Sequence, residues 1–199
     1  MKMKRYAFVV CALLATICLA SCTQNSGWTP EEKELINSAA YSRMRVTKTN
    51  DTADSLLLRT PSTPLTRKQI ESPEFGRLVA SMMETVNDPY HGGVGIAAPQ
   101  VGISRQMVAV QRFDKEGEPF EFFLNPEIVE RIGEKEAGGE GCLSVPEIRG
   151  DVERWQTIRL RYRDEQFVER EELIEGFTAV IFQHELDHLD GKLFIDYLE

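Results

Sequence analysis

Hydrophobic positions change period several times along this chain. Tyr6 to Ala20 is an uncharged apolar run of 15 residues behind Lys2, Lys4 and Arg5. That is shorter than the ~20 residues a membrane-spanning helix needs, and it fits the core of a signal peptide. Thr29-Pro30-Glu31-Glu32 then offers an N-cap, a first-turn proline and acids beside the positive end of a helix dipole. A short helix from there to about Tyr41 is predicted. Residues 42–66, rich in Thr, Ser and Asp with Pro61 and Pro64, read as an extended segment or tether. Behind Ser72-Pro73-Glu74, the residues Phe75, Leu78, Val79, Met82, Met83 and Val86 recur at three- and four-residue spacing. Pro73 to Asn87 is therefore predicted to be an amphipathic helix with a Met-rich core face.

Strand patterns follow. Met107 to Phe113 and Glu118 to Asn125 flank Asp114-Lys115-Glu116-Gly117 and read as a hairpin. Thr157 to Tyr162 alternates Ile158, Leu160 and Tyr162 with Arg159 and Arg161, and Glu165 to Ile174 reads as its partner. The last periodic segment, Phe177 to Leu189, is apolar nearly all round and reads as a buried helix, ended by a left-handed cap at Asp190-Gly191. Strands first and one buried helix last predict an α+β domain, with antiparallel β-sheets packed around a central C-terminal helix. No internal repeat is visible.

The 199 residues suit one domain of ordinary size with an appendage. Lys plus Arg is 23 against 32 for Asp plus Glu, a net charge of −9. That balance argues against nucleic acid as a partner, because phosphate binding needs a basic face. Three of the four cysteines, Cys11, Cys18 and Cys22, crowd into the start of the chain, so no disulfide scaffold is implied. The apolar run ends in Leu19-Ala20-Ser21-Cys22, which resembles a bacterial lipobox. The expectation is a signal peptide over 1–21, acylation at Cys22 and a lipoprotein anchored at an extracytoplasmic membrane face. The alternative is a cytoplasmic protein whose first helix is hydrophobic. Cys142 remains alone in the body of the chain, either an inert buried hydrophobe or a working thiolate.

The buried C-terminal helix carries His184-Glu185-Leu186-Asp187-His188. Two imidazoles four residues apart share one helix face and can reach one metal, with Glu185 beside them to handle a proton of activated water. A catalytic site of this kind needs a third protein ligand. The downstream position used by the longer HExxH peptidase motif is Phe194, which cannot ligate. His91 lies in a Gly-rich loop, and Cys142 is the other upstream candidate. A thiolate with two imidazoles is a sound donor set for zinc or ferrous iron.

Three motifs in order now resemble one family: Gly93-Val-Gly-Ile-Ala-Ala-Pro-Gln100, Glu140-Gly-Cys-Leu-Ser-Val-Pro146 and Gln183-His-Glu-Leu-Asp-His-Leu189. With the lesser match at Leu57-Leu58-Arg59, the chain resembles the peptide deformylases over about 54–199. The division expected is thus a signal at 1–21, an extension or tether with a short helix at 22–53 and a catalytic domain at 54–199. The resemblance implies removal of the formyl group from N-formylmethionyl peptides, with Cys142, His184 and His188 holding one divalent metal, Fe(2+) favoured and Zn(2+) the alternative. Glu185 would carry the proton, while the Gln100 side-chain amide and the Leu143 backbone N–H would face the oxyanion. Gly93 and Gly95 would let the substrate backbone approach, Val94, Val180 and Ile181 would line the methionine pocket, and Arg149 would lie near the substrate backbone. Arg154 would support the site by pairing with Asp187. The expected state is a monomer. Two rivals are a general HExxH zinc peptidase and a deformylase-like protein that binds N-terminal peptides without turnover.

Overall fold

The computed structural model describes residues 27–90 and 92–198. The signal segment, Cys22 and His91 lie outside the described residues. The chain folds as helices α1 (Pro30–Ala39), α2 (Thr52–Leu58), α3 (Arg67–Ile70) and α4 (Pro73–Val86), then strands β1 (Gly95–Ala97), β2 (Met107–Gln111), β3 (Phe120–Cys142), β4 (Val145–Arg163) and β5 (Glu169–Glu175), then helix α5 (Gly176–Leu189). The five strands make one antiparallel sheet in the order β1-β2-β3-β4-β5, so β1 is an edge. The α+β expectation holds at this level.

Alternation along β2 and β3 fixes two cores. Met107, Ala109, Phe122 and Leu124 point to one face, where they meet Phe75, Leu78, Met82 and Val86 of α4. Val108, Val110 and Phe123 point to the other face and meet Ala179, Ile181, Phe182 and Leu189 of α5. Phe182 and Phe123 meet edge to face with centroids 4.7 Å apart, a geometry worth about 1 kcal/mol beyond burial. Beneath them the fully buried Arg112 donates to Asp114, Glu121 and Glu172, and its guanidinium lies over both rings. Burial opposes that charge, but the carboxylates more than offset it and hold Arg112 protonated.

Helix α1 forms where the sequence predicts it, with a complete capping box: Glu32 N donates to Thr29 Oγ1, and Thr29 N donates to the Glu32 carboxylate. The segment around it is not loose. Trp28, Ile36 and Met44 are buried in the α4-side core, and Trp28 Nε1 donates to Ser72 Oγ at 2.8 Å. Arg105 clamps Glu32 through two hydrogen bonds of 2.6 and 2.9 Å.

Several elements differ from the sequence reading. Helix α2 lies within the stretch read as extended. Asp51 caps it by accepting from Ala53 N and Asp54 N, and Arg45 grips Asp54 from outside it. Seven residues are too few to show a period, so its turn-like composition dominated. Strands β3 and β4 run far beyond the predicted pieces, because register shifts at Leu124/Glu127, Ile128/Glu130 and Ile132/Lys135 repeatedly reset the alternation. Phe177, expected to be buried, is 56% exposed. It sits in the first turn of α5 and faces a cavity.

Candidate functional site

The long β3–β4 hairpin turns at Leu143 and Ser144, which puts Cys142 at its tip. Val145 and Val152 anchor that tip against Leu193 and Phe194 of the C-terminal segment. Helix α5 brings His184 and His188 to the same place, one turn apart. Cys142 Sγ lies 3.2 Å from His188 Nε2, and the available donor atoms of Cys142, His184 and His188 are all within 4.8 Å of one another.

This set fits a divalent metal. One thiolate and two imidazoles converge with no carboxylate among them, matching soft to borderline ions. The outer contacts orient the donors as well. His184 Nδ1 lies 2.7 Å from Glu140 Oε2, and Arg154 donates to the same carboxyl from Nε at 2.7 Å and Nη2 at 3.1 Å. Although burial works against its ionisation, bonds from His184 and Arg154 hold the Glu140 carboxyl below its usual range. Glu140 is therefore an acceptor, so His184 Nδ1 carries the proton and Nε2 is left for a ligand. Arg154, itself buried, also donates to Asp187 at 2.6 Å.

Sequence reasoning assigned no role to Glu140. The signal was there: two residues before Cys142 on a strand, it shares that residue's face.

Above the donors lies a cavity of about 360 Å³. Gly93, Val94, Gly95, Gln100, Leu143, Arg149, Val180 and Ile181 all line it with Cys142, His184 and Glu185, and Phe177 stands at its edge. His188 lies deeper, 1% exposed. Gln100 occupies a 3-10 turn at Ala98–Val101, where its Oε1 accepts from Ala97 N at 2.8 Å. Its Nε2 then points to Ser144 Oγ at 3.3 Å and Cys142 Sγ at 3.5 Å, so the amide's donor end faces the donor cluster. Residues 47–49 tie the two loops together. Thr47 N donates to Gln100 O, Thr47 Oγ1 to Pro99 O and Thr49 N to Ser144 O.

Glu185 is almost fully enclosed, and its Oε2 has no hydrogen-bond partner. Burial pushes its carboxyl up to about 7, with His184 pulling the other way. His188 Nδ1 is also buried without a partner, and burial holds that imidazole well below its ordinary range. A buried carboxyl poised near neutral pH beside a convergent Cys/His/His cluster is the arrangement that activates water for attack on a carbonyl.

The sequence profile of the polypeptide deformylases matches residues 44–199. The chain belongs to the peptide deformylase family. The peptide deformylase of Leptospira biflexa serovar Patoc is 40% identical over 150 residues, covering 72% of this chain and 83% of the relative. Among solved structures, the actinonin-bound class I type b peptide deformylase of Acinetobacter baumannii superposes with a TM-score of 0.70 at 35% identity, covering 79% of this chain and 99% of that one. The same enzyme bound to Met-Ala-Ser gives a TM-score of 0.70 at 34% identity, with coverage of 79% and 99%.

Proposed function

We propose that this chain removes the formyl group from N-formylmethionyl peptides as a metal-dependent hydrolase. The observation that carries the reading is the convergence of Cys142, His184 and His188 beside the buried, unpaired carboxyl of Glu185, within a family of this activity. Those three residues would hold one divalent ion, and a thiolate with two imidazoles suits both ferrous iron and zinc; ferrous iron is favoured by the family resemblance. Bound there, such an ion supplies Lewis acidity that makes water ionisable near neutral pH and polarises a carbonyl. Glu185 takes the proton of the attacking water and delivers it to the departing amine as the C–N bond breaks. The Gln100 side-chain amide and the Leu143 N–H donate to the oxygen that becomes negative at the formyl carbon.

The methionine side chain enters between Val94, Val180 and Ile181. The peptide backbone lies along Gly93 to Gly95 as an added strand, a role supported by the open edge of β1. Arg149 borders the cavity near that backbone. The His184-Glu185-Leu186-Asp187-His188 stretch makes α5 the helix on which the site is built and around which the sheet packs. The reading divides the chain into 1–21, 22–53 and 54–199, with residues 47–49 acting on the site from the end of the extension. It further takes the chain to be a monomer, held to an extracytoplasmic membrane face by a lipid on Cys22. The basic head, apolar core and Leu19-Ala20-Ser21-Cys22 support that anchor.

The test is amine release from formyl-Met-Ala-Ser by the chain loaded anaerobically with ferrous iron. Release supports the reading, and silence at one bound metal per chain favours a peptide binder without turnover. Separately, Cys22→Ala should move the protein out of the membrane fraction.

A further inference from the structure

We infer that Gly95 is the positioning residue for Glu185, its missing Cβ being the space that the Glu185 carboxyl occupies. The inference rests on the proton-carrying role proposed above for Glu185. Gly95 sits in β1, paired with Val110 of β2, and is buried. A Cβ built on it would lie 2.5 Å from Glu185 Oε1 and 2.9 Å from both Cδ and Cγ. Those three are the nearest atoms it would meet, and all belong to one side chain.

Backbone conformation gives no reason for glycine here. Gly95 lacks the positive φ of Gly102 or Gly191 and stands in ordinary extended conformation, which alanine adopts freely.

The contact with Glu185 matters because hydrogen bonding does not fix its carboxyl. Oε2 is buried with no partner, in contrast to Glu140, which is gripped by His184 and Arg154. Glu185 leaves α5 across the face of β1 and stops against the Cα of Gly95. Strand β1 therefore acts as a wall that sets how far the carboxyl reaches into the cavity, while its outer edge remains open for the peptide. A methyl at position 95 would push the carboxyl off that wall. The metal ligands would stay in place.

A double-mutant cycle on the full chain tests this, with Gly95→Ala made in the native background and in Glu185→Ala. With Glu185 present, Gly95→Ala should lower kcat about tenfold or more, because a displaced acid–base group loses much of its contribution. One metal per chain should remain bound. The melting temperature should fall. In Glu185→Ala, where all three crowding atoms are gone, Gly95→Ala should leave the melting temperature unchanged or raise it, because alanine restricts the unfolded chain more than glycine. Equal losses of melting temperature in both backgrounds would overturn the inference, as would full kcat in Gly95→Ala. The thermal cycle reads the contact without turnover. A chain with no deformylase activity but a coupled cycle would refute the proposed function and leave the contact standing.

Discussion

Glu140→Gln is the substitution that most directly probes how the donor set is oriented. The native carboxylate accepts from three directions: His184 Nδ1, Arg154 Nε and Arg154 Nη2. Glutamine keeps the shape but offers one oxygen and turns an NH2 group toward groups that are themselves donors. If the oxygen stays with Arg154, His184 faces a donor and is driven to the other tautomer, with its proton on Nε2. That nitrogen then has no lone pair for a metal. If the oxygen turns to His184, it still accepts from Arg154 Nη2, but the NH2 group then faces Arg154 Nε, donor against donor. Loss of such an outer partner typically costs 10- to 100-fold in metal affinity, or about 1.4 to 2.8 kcal/mol. Unpairing a buried charged hydrogen bond adds about 1 to 3 kcal/mol of lost stability. Competition against a chelator of known affinity measures the first quantity, and urea unfolding of the metal-free chain measures the second. Metal affinity within about threefold of native would refute the claim that Glu140 sets the His184 tautomer.

Three further predictions follow from contacts outside the donor set. Thr47→Val preserves shape and removes only the buried hydroxyl that donates to Pro99 O at 3.0 Å, so urea unfolding should show a loss of about 1 kcal/mol. An unchanged midpoint would mean that the tie to the Gln100 turn carries no energy. Trp28→Ala removes a side chain only 3% exposed and its bond to Ser72, and thermal or urea melts should register about 3 to 5 kcal/mol. A cost near zero would make residues 27–43 a loose tether after all. Asp54 is held below the ordinary carboxylate range chiefly by its hydrogen bonds with Arg45. A lowered folded-state pKa gives stability that is full above the unfolded value of about 3.9 and is lost as pH falls through the folded one. Asp54→Asn should therefore melt below the native chain at pH 7, with the gap narrowing as pH drops below about 4. A gap independent of pH would remove the ion pair as its cause.

What the sequence displayed was the chemistry, because that chemistry sits in short local patterns. His184 and His188 are one helical turn apart, and Cys142 is the lone cysteine of the body, so two donors and a candidate third, with His91 as its rival, could be named before any fold existed. The family resemblance chose Cys142. Helix α4 was equally visible, since one amphipathic face repeats over 14 residues. Long-range order was not. Trp28 looked like an isolated aromatic in a polar segment, and only the tertiary fold shows it capping the α4 core. The β3–β4 hairpin projects over much of its length with both faces partly in water, so neither strand carries a clean two-residue period, and its bulges shift what little there is. Phe177 reads as core by composition. Its exposure follows from its place at the cavity mouth, where a packed neighbour is missing on one side. The Glu140 contact escaped because His184 is 44 residues away. Its spacing from Cys142 hints at a shared face, but nothing local names His184 as its partner.

The central claim is that Glu185 carries the proton in a hydrolysis supported by Cys142, His184 and His188. It is tested most directly by formate release from formyl-Met-Ala-Ser, measured for the native chain and for Glu185→Gln at matched metal content. The account predicts turnover in the native chain, a loss of about 100-fold or more in the variant and one bound metal in both. Equal turnover in the two, or turnover in neither, would contradict it.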